Sequence, residues 1–216
     1  MEKAYQNSSY LFIAVLFMAF AGFHATYFGL FPQFEGITPI LHVHAITILL
    51  WFSVLIVQPI LIRTRKVALH RSIGKVSYAV AALMLLSIIL LERLAFIRNA
   101  PVLPNQPDIR LIGIADICFF VLFYGLAIYY RRKVSYHARF MVLTVLPFIN
   151  PALGRLGFPG PILALIIIVG LLIYERFNNK IYRPYLIALP AYLAIYVFFL
   201  FIINADQWRA FWWMFF

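Results

Sequence analysis

Long apolar runs dominate the chain, and its polar residues gather in the short gaps between them. A helix needs about 20 apolar residues to cross the hydrocarbon layer of a bilayer. The runs predict seven such helices, over 10–31, 38–62, 73–97, 110–130, 138–158, 161–177 and 185–204. The sixth is short, but its PILALIIIVGLLIY stretch carries no charge. The expected fold is therefore all-α, a polytopic transmembrane helical bundle occupying 1–216 as a single domain. Ala19-Phe20-Ala21 resembles a signal-peptidase site, but the apolar run continues to Phe31, so the first span is expected to be retained. The longest loop, 98–109, holds three prolines and no soluble domain. Any ligand chemistry must then lie inside the bundle or at its two faces.

Composition agrees with this pattern and excludes two other classes. Hydrophobic residues make up 65% of the chain and charged residues 12%, with a mean hydropathy of +0.94. Soluble domains carry about 25% charged and about 45–50% apolar residues. Disordered chains are poorer still in apolar and aromatic side chains. Neither description fits. Cys118 is the single cysteine, which rules out an intrachain disulfide, a Cys-rich zinc site and a CxxC pair.

The net charge of +11 sets orientation. The basic residues do not form one patch, as a nucleic-acid interface would require; they sit in clusters between the spans. With the N-terminus inside, the inner segments hold thirteen of them, among them Arg63, Arg65, Lys66, Arg71, Arg131, Arg132, Lys133 and Arg139. The outer segments hold five: Arg93, Arg98, Arg110, Arg155 and Arg209. The excess predicts an N-in, C-out topology. Trp208, Trp212 and Trp213 then form an aromatic anchor at the outer interface.

Two inner loops echo each other. Arg65-Lys66-Val67-Ala68-Leu69-His70 aligns with Arg132-Lys133-Val134-Ser135-Tyr136-His137 at a constant offset of 67, with four identities in six. The echo points to a duplicated hairpin, 38–97 and 110–158, related in parallel. It puts one histidine at the same position on each copy. Both open a helix, where the positive end of the dipole opposes protonation, and Arg71 and Arg139 add to that. Neutral imidazoles able to coordinate a metal or accept a hydrogen bond are expected there.

The other three histidines fall toward the outer face. His24 lies about 10 Å below Phe31 and His44 about 9 Å below Thr38, at 1.5 Å per residue. Asp116 sits at a similar depth on the fourth span. His42 and His44 point about 200° apart, so one of them faces the first span. His24, His42 or His44, and Asp116 are thus a candidate metal set of copper, iron or zinc chemistry. Asp116 paired with Arg155 is the plainer alternative.

On the second span, His44, Thr47, Trp51 and Gln58 recur at helical spacing and line one face. The fifth span carries His137, Met141, Thr144 and, beyond two prolines, Arg155. Glu92 and Asn150 are further polar residues within the bundle. Ionisable groups inside a bilayer cost about 2.5–3.5 kcal/mol at its centre on insertion scales, so they mark candidate sites. A b-type haem needs two axial ligands on facing helices, and His70 and His137 could supply them, with Trp51 and Gln58 beside the group. The seventh span has no lysine for a retinal Schiff base.

The order His44…Trp51…Gln58…Leu69-His70-Arg71-x-x-Gly74…Tyr78, then His137-x-Arg139-x-Met141 and Asn150-Pro151-Ala152-x-Gly154-Arg155, resembles a group of predicted bacterial integral membrane proteins of unknown function. The resemblance covers the second to fifth spans. The His-x-Arg-x-Met piece is similar to small membrane proteins implicated in assembly of haem-copper oxidases. Paired histidines on the third and fifth spans are also similar in plan to two-haem transmembrane cytochromes b. Those have a second pair on the second and fourth spans, and the fourth span here has no histidine.

Three functions follow as expectations. The first is a membrane protein binding haem b or a transition metal, in electron transfer or in oxidase or cofactor assembly, with a respiratory complex as partner. The second is a small-molecule or proton-coupled transporter, suggested by the hairpin echo, Pro147, Pro151 and Asp116. The third is a non-catalytic subunit of a membrane complex.

Overall fold

The computed structural model describes residues 5, 7–97, 110–178 and 183–199, and the single positions 207, 210, 213 and 214. The loop 98–109 and Trp208 and Trp212 lie outside the described residues. Eight α-helical segments follow in order: α1 (Ser8–Phe23), α2 (Pro39–Arg63), α3 (Val67–Ile97), α4 (Arg110–Tyr129), α5 (Val134–Leu143), α6 (Leu146–Arg155), α7 (Gly160–Phe177) and α8 (Arg183–Val197). No strand occurs among the described residues. Four stretches are long and apolar enough to cross a membrane: Pro39–Arg63, Val67–Ala95, Leu111–Tyr129 and Gly160–Phe177. Ser8–Phe23 and Arg183–Val197 are shorter apolar helices.

Two expected spans are corrected. The helix expected over 10–31 ends at Phe23. The chain then turns: Tyr27 N–H donates to Phe23 O at 2.9 Å and Gly29 N–H to His24 O at 2.7 Å. A short 3-10 turn, Phe28–Leu30, follows. Aromatic packing replaces helical continuation here, with Phe28 against Phe20 and Tyr27 against Phe34. The helix expected over 138–158 is two helices, broken at Thr144 and Val145. Pro147 is the cause. It has no N–H to give, and its ring would press on the carbonyl of Leu143. Its place in the first turn of α6 is the one where a missing N–H costs nothing. Pro39 opens α2 in the same way, after an extended Thr38.

α4 carries the core. Ala115, Phe119, Phe123 and Ala127, spaced by four, are all fully buried, so this stripe faces inward along the helix. α4 packs against α3, α5, α6 and α8, while α1 packs on α2 and α6, and α2 on α3. Small residues allow the closest approach. At Gly22 a Cβ would stand 2.8 Å from Ala152 Cα, so α1 and α6 meet backbone to backbone. Outward-facing Ile46, Leu50, Leu83, Leu86, Ile162 and Ile166 are exposed, as expected of helices that face lipid rather than water.

Candidate functional site

Three residues singled out by spacing, Gln58, His70 and His137, lie toward the end of the bundle that carries the basic loops, while Trp51 stands at the middle of α2. Each histidine opens its helix identically: His70 N–H donates to Lys66 O at 3.0 Å, and His137 N–H to Lys133 O at 2.9 Å. His137 Nδ1 lies 2.8 Å from Ala127 O. A carbonyl only accepts, so Nδ1 must carry the hydrogen. In the neutral ring, Nε2 then holds a free lone pair, the form a metal ligand needs.

α2 approaches His70 through Gln58, whose Nε2 donates to His70 O at 3.1 Å. Gly74, one turn beyond His70, faces Gln58: a Cβ there would lie 3.7 Å from Gln58 Nε2, an ordinary packing contact. Gln58 Oε1, His70 Nδ1 and Trp51 Nε1 are all buried without a hydrogen-bond partner. Such orphans are costly in a native interior and ask for an explanation. Trp51 is fully buried, with Phe120 and Tyr124 edge-on at 5.1 Å each. Tyr124 OH shares a hydrogen bond with Ser77 Oγ at 2.8 Å, and Ser77 donates back to Gly74 O. The polar groups thus run from α2 through α3 to α4 and α5.

The outer metal set does not assemble. Among the described residues no three His, Cys, Asp or Glu side chains come together to hold an ion. Because α1 unwinds after Phe23, His24 leaves the helical path and packs beside Gly29. His42 Nδ1 meets Tyr27 OH at 2.9 Å, and its ring sits edge-on to Phe34. His44 turns the other way and meets Ser87 Oγ on α3 at 2.9 Å. Asp116 faces α6 and α8, where Asn150 Nδ2 donates to it at 2.5 Å and Tyr196 OH donates to the same oxygen. The Asp116–Arg155 pair does not form either. Arg155 Nη1 donates to Pro151 O at 2.9 Å, and its guanidinium lies 4.1 Å from the Phe23 ring centre. Glu92 packs over Gly113 of α4, where a Cβ would stand 2.9 Å from its Cδ.

One cluster went unforeseen. Arg139 Nε pairs with Glu175 Oε1, at exposures of 1% and 2%, and Arg139 Nη1 donates to Ser135 O at 2.9 Å. Tyr5 OH donates to Glu175 Oε1 at 3.4 Å and shares a 2.9 Å bond with Tyr185 OH. The Arg139 guanidinium lies 4.6 Å from the Tyr5 ring centre. The signal available in the sequence was Glu175 itself, an acid ending an otherwise apolar helix.

No family model, curated protein or solved structure matches this chain.

Proposed function

We propose that the chain is a seven-span inner-membrane protein of bacteria, N-in and C-out, in which His70 and His137 hold haem b or a single transition-metal ion. The reading makes it an electron-transfer protein, or one that assists oxidase or cofactor assembly beside a respiratory complex. The observation that carries it is the histidine pair: imidazoles at matching first-turn positions of α3 and α5, one with its Nδ1 hydrogen committed to Ala127 O and the other with a buried, unpartnered Nδ1. Neutral imidazole is the common donor to haem iron and to copper, iron and zinc. Gln58 and Trp51 offer an acceptor and a donor to the polar edge of such a group. The experiment is metal and haem analysis of the protein purified in mild detergent. Stoichiometric iron, copper or zinc that is lost in His137→Ala but kept in Lys66→Ala supports the reading. A metal-free wild type, after expression with haem and metals supplied, overturns it.

The orientation has its own test. A cysteine placed at exposed Lys66, in a Cys118→Ala background, should react with an impermeant maleimide only after the membrane is opened. Labelling of intact cells would invert the topology.

A transporter is the second reading, and the break between α5 and α6 favours it. Interrupted helices that free backbone groups within a bundle recur at transport sites. Substrate uptake into proteoliposomes without any bound cofactor would move the conclusion there.

A further inference from the structure

Asp116 belongs to neither the histidine pair nor the Arg139 cluster. Its carboxyl is buried within α4, and the groups bonded to it are neutral. From α6, Asn150 Nδ2 donates to Oδ1 at 2.5 Å, and also to Tyr196 OH at 2.5 Å. From α8, Tyr196 OH donates to the same Oδ1, and the Tyr192 ring stacks on Tyr196 at 4.2 Å. From α3 the titratable neighbour is a second acid, Glu92, packed over Gly113 one turn before Asp116. Among the described residues no basic side chain forms an ion pair with Asp116. A carboxylate placed this way in a bilayer has no compensating charge.

The independent observation is Asn150. The residue is 4% exposed, and its Oδ1 is buried without a hydrogen-bond partner while Nδ2 serves the carboxyl. An ionised carboxyl only accepts, so the amide must present Nδ2 to it. A protonated carboxyl carries an O–H that needs an acceptor. A half-turn about the Asn150 side-chain amide exchanges Nδ2 for Oδ1 and supplies that acceptor at the same place. Tyr196 OH can keep donating to Asp116 Oδ1 in both forms, because a protonated Oδ1 retains a lone pair. The cluster therefore suits the two charge states of Asp116 equally, which a fixed hydrophobic or ion-paired packing would not.

We propose that Asp116, Asn150 and Tyr196 form a proton-binding site inside the bundle, at which Asp116 takes and releases one proton and the Asn150 amide turns over to follow it. The proton arrives from water, forms the O–H bond on a carboxylate oxygen, and returns to water when that bond breaks. The proposal is independent of the histidine pair and holds whether or not a cofactor binds there.

Infrared difference spectroscopy of the full protein in vesicles, stepped in pH in H2O and in D2O, tests it. The wild type should show one carboxylic-acid carbonyl band that grows as pH falls, shifts in D2O, and changes together with an asparagine amide carbonyl band. Asp116→Asn should remove that band, and Glu92→Gln should keep it. If Asp116→Asn does not fold, Tyr196→Phe decides the matter: losing one donor to the carboxylate should make the band grow in at higher pH. Absence of a titrating band in the wild type, its survival in Asp116→Asn, or a band that grows in at unchanged pH in Tyr196→Phe would overturn the site. A band that responds to Na+ in place of choline at constant pH would also overturn it, making this a sodium site.

Discussion

Glu175→Ala should destabilise the protein by about 3–5 kcal/mol, because it removes the buried carboxylate that pairs with Arg139 Nε. Arg139→Ala should cost about the same, by removing the cation that pairs with the buried carboxylate. The pair is almost fully enclosed and joins α5 to α7, with Tyr5 and Tyr185 closing it from the N-terminal segment and α8. Four parts of the chain therefore lose a common anchor at once. Denaturant unfolding in detergent micelles reads the effect. The double variant Arg139→Met with Glu175→Leu should recover most of the loss, since well-packed apolar residues often replace a buried ion pair at little cost. Single variants within about 0.5 kcal/mol of wild type, the range of ordinary surface substitutions, would show that the pair is water-accessible and unimportant.

Gly22→Val is the second large effect. Even the first added carbon would meet Ala152 Cα at 2.8 Å and its carbonyl carbon at 2.9 Å, with the carbonyl oxygen nearer still. These are backbone atoms of α6 and cannot swing aside as a side chain would. Overpacking typically costs about 1–3 kcal/mol, and Val should lie at the upper end or beyond. Ala152→Gly should not rescue it, because the obstructing atoms remain in glycine. The control lies within the same protein. Gly170, inside α7, has open space where a Cβ would go, so Gly170→Ala should be neutral or raise stability by about 0.5–1 kcal/mol through helix propensity. Equal effects at Gly22 and Gly170 would refute the close approach of α1 and α6.

Hydrophobic runs made the helices legible, because a run of apolar residues between basic gaps has few alternatives. They did not reveal where α1 stops. The residues after Phe23 are as apolar as those before, and aromatic rings satisfy a packed turn as well as a helix. The break in the fifth expected span was signalled by Pro147, but a proline can kink a helix or end it, and the packing of α6 on α1 chose the second. Of the polar residues, Trp51 and Gln58 were visible as one face through their seven-residue step. Common depth was the weaker guide. His24, His44 and Asp116 were matched by depth, yet depth says nothing of azimuth, and the three face the Gly29 turn, α3, and α6 with α8. Glu175 escaped notice because its partner, Arg139, reads locally as one more basic residue of an inner loop.

The central claim is that His70 and His137 hold one cofactor between them. Its most direct test is the reduced-minus-oxidised absorption spectrum of the purified wild type, His70→Ala and His137→Ala, with Lys66→Ala as control. The account predicts either a Soret band with sharp visible haem bands or, if the group is a metal ion, stoichiometric metal by elemental analysis, in wild type and Lys66→Ala. Both histidine variants should lose that signal. A wild type with neither a haem spectrum nor stoichiometric metal, or histidine variants that keep either in full, would contradict it.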